Sequence, residues 1–159
     1  YIESIIKAAT QLSEEYTNRF FIDTVIEQYA SSFAELQTLF KSKVSAVAHV
    51  KYYDSDNTLQ TLSATVYDAQ LNYEPSQIQL ADGQSFPDIT KRNDAVLVRY
   101  TVGYGSAASD VPEIIKQAIL LTIGNFYQNR NSVVIGRIST ELPLNVKWLL
   151  DTYKVQIIG

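Results

Sequence analysis

The sequence contains no cysteine and no methionine, and only one histidine, one tryptophan, four prolines and six glycines in 159 residues. Without cysteine there is no disulfide framework, no thiolate zinc site and no cysteine nucleophile. The lone histidine, His49, has no acidic or nucleophilic partner that the sequence singles out, as a catalytic histidine would need. Positive charge is also short: 13 Lys and Arg against 17 Asp and Glu give a net charge of −4. No global basic field therefore draws the chain to nucleic acid or anionic lipid. Apolar runs are brief, and Ala118–Leu121 falls far below the roughly 18 residues needed to span a bilayer. No signal peptide is legible, because Tyr1–Leu12 carries Glu3 and Lys7 at helical spacing rather than a basic start and an apolar core. The missing methionine, including at position 1, makes a trimmed or processed N-terminus the expectation.

A chain of this length has a single domain over residues 1–159 as its natural reading. It can bury enough surface to fold without a metal or disulfide staple. Ile2, Ile5, Ile6, Ala9 and Leu12 recur at three- and four-residue steps, which predicts an amphipathic helix over residues 1–18 with Asn18 as a left-handed cap. From Phe20 the period becomes two, and a β insertion is expected over residues 20–105. Phe21–Tyr29 and Ala34–Phe40 read as strands. In Val44–Tyr53, strict alternation would put Val44, Ala46, Ala48, Val50 and Tyr52 on one face. Asp54–Asn57 reads as a turn, Leu59–Leu71 as the returning strand, Gln77–Leu80 as another, and Ala95–Tyr104 as the last. Asp110 with Glu113 three residues on, and Pro112 between, resembles a capping box opening a helix over 110–131. That helix has too many apolar positions for one stripe, so it should pack on both sides. A last helix is expected over 143–154, followed by a tail over 155–159. The class is α+β, a small helical bundle with an inserted antiparallel sheet.

Each chemically suggestive fragment has a plainer reading. His49 beside Lys51 and Tyr53 reads as an ordinary sheet-face residue. Asp54-Ser55-Asp56-Asn57 has calcium-loop oxygens at alternate positions but lacks the glycine and closing glutamate, so a hairpin turn is favoured. Gly103-Tyr104-Gly105 lacks the Gly-Lys-Ser/Thr of a phosphate loop and reads as a tight strand-to-helix turn. Lys41, Lys43, Lys51, Lys91 and Arg92 are scattered, not interleaved with aromatics as a single-strand platform requires. No catalytic residue, metal site or cofactor is assigned. The C-terminal end, with Trp148, Tyr153, Val155, Ile157 and Ile158, is too apolar to be left free and is expected to bind a partner.

Taken in order, Val50-Lys51-Tyr52-Tyr53-Asp54, Pro75 with Ile78, Phe86-Pro87, Ala95-Val96-x-Val98, Gly103-Tyr104, Val111-Pro112-x-x-Ile115-Lys116-Gln117-Ala118-Ile119-Leu120, Tyr127-x-Asn129-Arg130 and Glu141-Leu142-Pro143-Leu144 resemble the head–tail connector (adaptor) family of long-tailed bacteriophages. Members often carry Trp-Pro in place of Phe86-Pro87, and Glu in place of Gln128. The resemblance runs from the first helix to Val155 and extends to similar proteins of prophages and gene transfer particles.

The resemblance implies a non-enzymatic virion protein of the neck, assembled in the host cytoplasm. Its copies, about twelve, would close a ring beneath the portal protein through heterologous contacts. That ring would extend the channel through which double-stranded DNA passes without sequence-specific binding, and would dock a stopper or tail-completion protein. It implies portal contact through Trp148, Tyr153, Val155, Ile157 and Ile158, while the apolar outer face of the long helix adds subunit contacts at Leu120, Tyr127 and Arg130. A tail-terminator or stopper ring protein is the alternative. A small α+β enzyme or ligand-binding domain is opposed by the missing thiols, the unpartnered histidine and the lack of a paired-carboxylate signature.

Overall fold

A computed structural model describes residues 1–129 and 142–156. Helix α1 (Ile2–Thr17) is followed by strand β1 (Thr24–Ala30), a short 3-10 turn (Glu35–Gln37), and strands β2 (Val44–Tyr53), β3 (Leu59–Thr61), β4 (Tyr67–Gln70), β5 (Gln77–Leu80) and β6 (Val96–Val102). After a second 3-10 turn (Ala108–Asp110) come α2 (Glu113–Gln128) and α3 (Leu144–Asp151). The class is α+β, with one N-terminal helix, two C-terminal helices and antiparallel sheet between them.

Four strands pair in the order β1-β6-β2-β3, and β4 and β5 form a separate two-stranded ribbon. The last strand in sequence, β6, lies inside the sheet between β1 and β2, and its alternating Val96, Val98, Tyr100 and Val102 are all buried. They pack with Leu36, Leu39, Val50, Leu62 and Ile78 into the core of the β unit. Ile5 and Ala9 of α1 meet Phe126 of α2, while Ile115 and Ala118 of α2 meet Val146 and Leu150 of α3. The long helix thus touches both α1 and α3, but its buried positions form one stripe and its surplus apolar residues stay exposed instead of packing within the chain.

Several local expectations change. Ala34–Phe40 is not a strand. Phe33, Leu36 and Leu39 are buried at a spacing of three, and Leu36 N–H donates to the Phe33 carbonyl at 3.2 Å. Glu35 fixes that turn by accepting from the Ser31 amide at 2.9 Å and the Ser31 hydroxyl at 2.7 Å. Leu59–Leu71 is two strands in two different sheets, because Val66 N–H closes a turn on the Ser63 carbonyl at 3.0 Å. In β2 the strict alternation fails: the register against β6 slips between Val44 and Ala46 and again between Val47 and His49. Each bulge adds one residue and turns the strand. Val44, Val47, Val50 and Tyr52 therefore face the core, while Ala46 and Ala48 are exposed.

Helix boundaries follow their caps. Asn18 adopts the left-handed conformation (φ 56°, ψ 34°) and its N–H closes onto the last turn of α1. Asp110 does not cap α2. Its Oδ2 accepts the Ala107 amide at 3.0 Å and so closes the preceding 3-10 turn, and α2 starts behind Pro112, which donates no hydrogen bond of its own. Residues 130 and 131 of the expected helix lie outside the described residues.

Candidate functional site

With α2 flanked by α1 and α3, its inner stripe is Ile115, Ala118, Thr122 and Phe126, at three- and four-residue steps. Thr122, buried, donates its hydroxyl to the Ala118 carbonyl at 2.8 Å and so needs no outside partner. Ile114, Leu120, Leu121 and Tyr127 are left exposed on the same helix. Helix α3 repeats the pattern: Val146 and Leu150 are inside, while Leu144 and Trp148 face out. Trp148 is 67% exposed and Leu120 57%, large values for side chains of this size. Between the two helices runs a groove of about 260 Å³ lined by Leu120, Leu121, Gly124, Asn125, Pro143 and Val146. A Cβ at Gly124 would meet nothing within 4 Å.

The expected site residues separate into three groups. Leu120 and Tyr127 lie on the outer face of α2 and Trp148 on that of α3. Tyr153 and Val155 lie at the junction with α1. The Tyr153 ring stands edge-on to Tyr104 at 6.4 Å, and Val155 N–H donates to the Thr17 carbonyl at 3.0 Å. Arg130, Ile157 and Ile158 fall outside the described residues.

Sequence reasoning missed Arg19. It is 7% exposed, its Nη1 and Nη2 donate to Glu74 Oε1 and Oε2 at 2.8 and 2.6 Å, and its Nε donates to the Tyr153 carbonyl at 2.5 Å. Glu74 lies in the turn between β4 and β5, so nothing local in the sequence pairs the two. The hydrogen bonds from Arg19 hold the Glu74 carboxyl below its ordinary range against the opposing effect of burial. The only local signal is a cation set between Asn18 and Phe20-Phe21.

The fragments that suggested chemistry are structural here. His49 lies on the outer sheet face across from Arg99, and its pKa is lowered by burial, Lys51 and Arg99. Asp54 is occupied by the amides of Asp56 and Thr58 and by Gln60 Nε2, at 2.8–3.0 Å, in the β2–β3 hairpin turn. Gly103 has φ 142°, and a Cβ there would lie 2.6 Å from the Asp23 nitrogen, so the glycine serves a close backbone crossing. Among the basic residues, Lys41 bonds Asn18 Oδ1 at 2.6 Å, Lys43 lies 5.8 Å from the Tyr104 ring centre, and Arg92 pairs with Asp94 at 2.6 Å while stacking on Tyr53. Among the described residues no three His, Cys, Asp or Glu gather where a metal ion could be held. No helix among them is long and apolar enough to cross a membrane.

No protein-family model matches the sequence, and no curated protein matches it. Solved structures do. A chain in the neck of a native gene transfer agent particle, computed with C12 symmetry, superposes with a TM-score of 0.76 at 20% identity, covering 99% of this chain and 84% of that one. A chain in the neck of the empty particle, computed with C6 symmetry, gives 0.75 at 19% identity over 99% of this chain and 79% of that one. A chain in the virion of the native particle gives 0.73 at 20% identity, with coverage of 99% and 79%. This chain therefore has the fold of a chain found in the neck of gene transfer agent particles.

Proposed function

We propose that the protein is a non-enzymatic structural subunit of a virion neck, a head–tail connector whose copies close a ring beneath the portal. The observation that carries the reading is the match of fold over nearly the whole chain to neck structures computed with C12 and C6 symmetry. Cyclic rings are built from heterologous contacts, in which each copy offers two different surfaces. The exposed apolar stripe of α2, with Leu120 and Tyr127, supports a role as one of them, with Arg130 following on in sequence. Large exposed apolar patches of this kind mark interaction sites. A ring of about twelve copies would agree with the C12 symmetry of the neck reconstruction.

The C-terminal end, with Trp148, Tyr153, Val155, Ile157 and Ile158, is the portal anchor in this reading, and the ring offers its other side to a stopper or tail-completion protein. The net charge of −4 suits a channel through which DNA must slide, because each neutralised phosphate would strengthen attachment. The protein belongs to the virion neck and is assembled in the host cytoplasm.

Light scattering of the purified chain, alone and mixed with portal, tests the proposal. Formation of a ring complex with portal is the expected result. Binding to tail tube without portal would make the protein a tail terminator instead, and indifference to both would remove it from the neck.

A further inference from the structure

After α3 the chain turns back along the end of α1, and each step of that turn is held. Asp151 Oδ1 accepts the Tyr16 hydroxyl at 2.5 Å, and Lys154 Nζ stands 4.6 Å from the centre of the Tyr16 ring. Tyr153 packs on Tyr104, and Val155 N–H bonds Thr17. At the middle lies Arg19, which reaches Tyr153 with Nε and Glu74 with both terminal nitrogens. One buried guanidinium thus joins the end of α1, the β4–β5 turn and the C-terminal segment.

The guanidinium is buried while the Glu74 side chain is 44% exposed, and such a pair is a poor source of stability, since desolvation of the one and solvent screening of the other offset most of the attraction. What a guanidinium supplies is direction: its donors lie in one plane at fixed angles, and here the fork is used on a carboxylate and the remaining edge on a carbonyl. The position of the Tyr153 carbonyl is thereby set relative to Glu74, and with it the course of the chain beyond.

We propose that Arg19 is a positioning residue for the C-terminal segment. With Glu74 it fixes the path of the chain after α3, so that residues 151–155 form a rigid base that presents Tyr153 and Val155 in a set direction. This rests on the proposed function only in what the tail then meets; the base itself is a property of the free chain.

The test uses the full-length protein and two variants, Glu74→Gln and Arg19→Lys. Trypsin cleavage at Lys154–Val155 is followed by mass, and amide exchange is followed at Val155 and, as a control in the sheet, at Val98. The native chain should resist cleavage and protect the Val155 amide. Both variants should speed that cleavage by about tenfold or more while Val98 stays protected. Lysine should fail as a conservative replacement, because one ammonium cannot serve carboxylate and carbonyl in the same geometry. Ready cleavage of the native chain, or variants indistinguishable from it, would overturn the proposal. Should Arg19→Lys fail to fold, Glu74→Gln carries the test alone. Portal capture by the same proteins separates the two readings: a loosened base with undiminished capture upholds the positioning role and removes the tail as anchor.

Discussion

The Tyr100 hydroxyl donates to Gln28 Oε1 at 3.0 Å inside the β unit, where both side chains are buried. The same oxygen accepts the Phe40 amide at 3.0 Å, and Gln28 Nε2 donates to the Thr38 carbonyl at 3.0 Å. One side-chain amide thus binds the irregular segment after the first 3-10 turn to the underside of the sheet. Tyr100→Phe removes one donor and leaves Gln28 otherwise satisfied, so it should cost about 0.5–1.5 kcal/mol. Gln28→Leu strands three partners at once, each at about 1–3 kcal/mol, and should be much the worse of the two. Urea unfolding of both variants checks the order.

Ser42 is fully buried, and its hydroxyl has no hydrogen-bond partner among the described residues. Burying such a group without a partner costs about 1–3 kcal/mol. Ser42→Ala should therefore be neutral or stabilising, by about 1 kcal/mol, with the denaturation midpoint as the readout.

Glu74 makes the joint at Arg19 sensitive to acid. Its carboxyl titrates below the ordinary value of 4.5 in the folded chain, so its contribution is fully present above that value and is lost as pH falls through the lowered one. Melting temperature should fall with pH in that acid window for the native chain, and less steeply for Glu74→Gln, as calorimetry across the range would show.

Leu120→Glu changes an exposed position in a helix that tolerates glutamate well, so stability should move by no more than about 0.5 kcal/mol. Self-association should nonetheless be lost if this face meets a neighbouring copy. Sedimentation of the variant with portal measures the second effect and thermal unfolding the first. An unfolded variant, or one that assembles normally, would reject the face assignment.

Gly124→Ala isolates the backbone contribution beside the groove. The added methyl meets no atom within 4 Å, and alanine favours a helix interior by about 0.8–1 kcal/mol over glycine. A higher melting temperature is the expected outcome.

Legibility in the sequence followed the range of the forces involved. The three helices were readable because their period and the Asn18 cap are local, and β6 because its β-branched alternation is unbroken. Ala34–Phe40 misled because Phe33, Leu36 and Leu39 serve a turn with period three, while the intervening residues mimic alternation. The bulges in β2 are set by its partner β6 and leave no mark in Val44–Tyr53 itself. The outer faces of α2 and α3 were foreseeable from surplus apolar residues. The Arg19–Glu74 joint was not, because it unites residues 55 positions apart that no periodicity connects.

The β unit also departs and returns at one spot. Tyr104 N–H donates to the Phe21 carbonyl at 3.3 Å, and Asp23 N–H to the Gly105 carbonyl at 3.0 Å, so its two ends lie side by side. Of the residues between them, only Phe21 and Tyr104 join the apolar clusters of the helices. Such a cassette can be exchanged, enlarged or trimmed without redrawing the path of the three helices, at the cost of Arg19's carboxylate partner. Changes within the cassette then leave the helical scaffold under its own constraints.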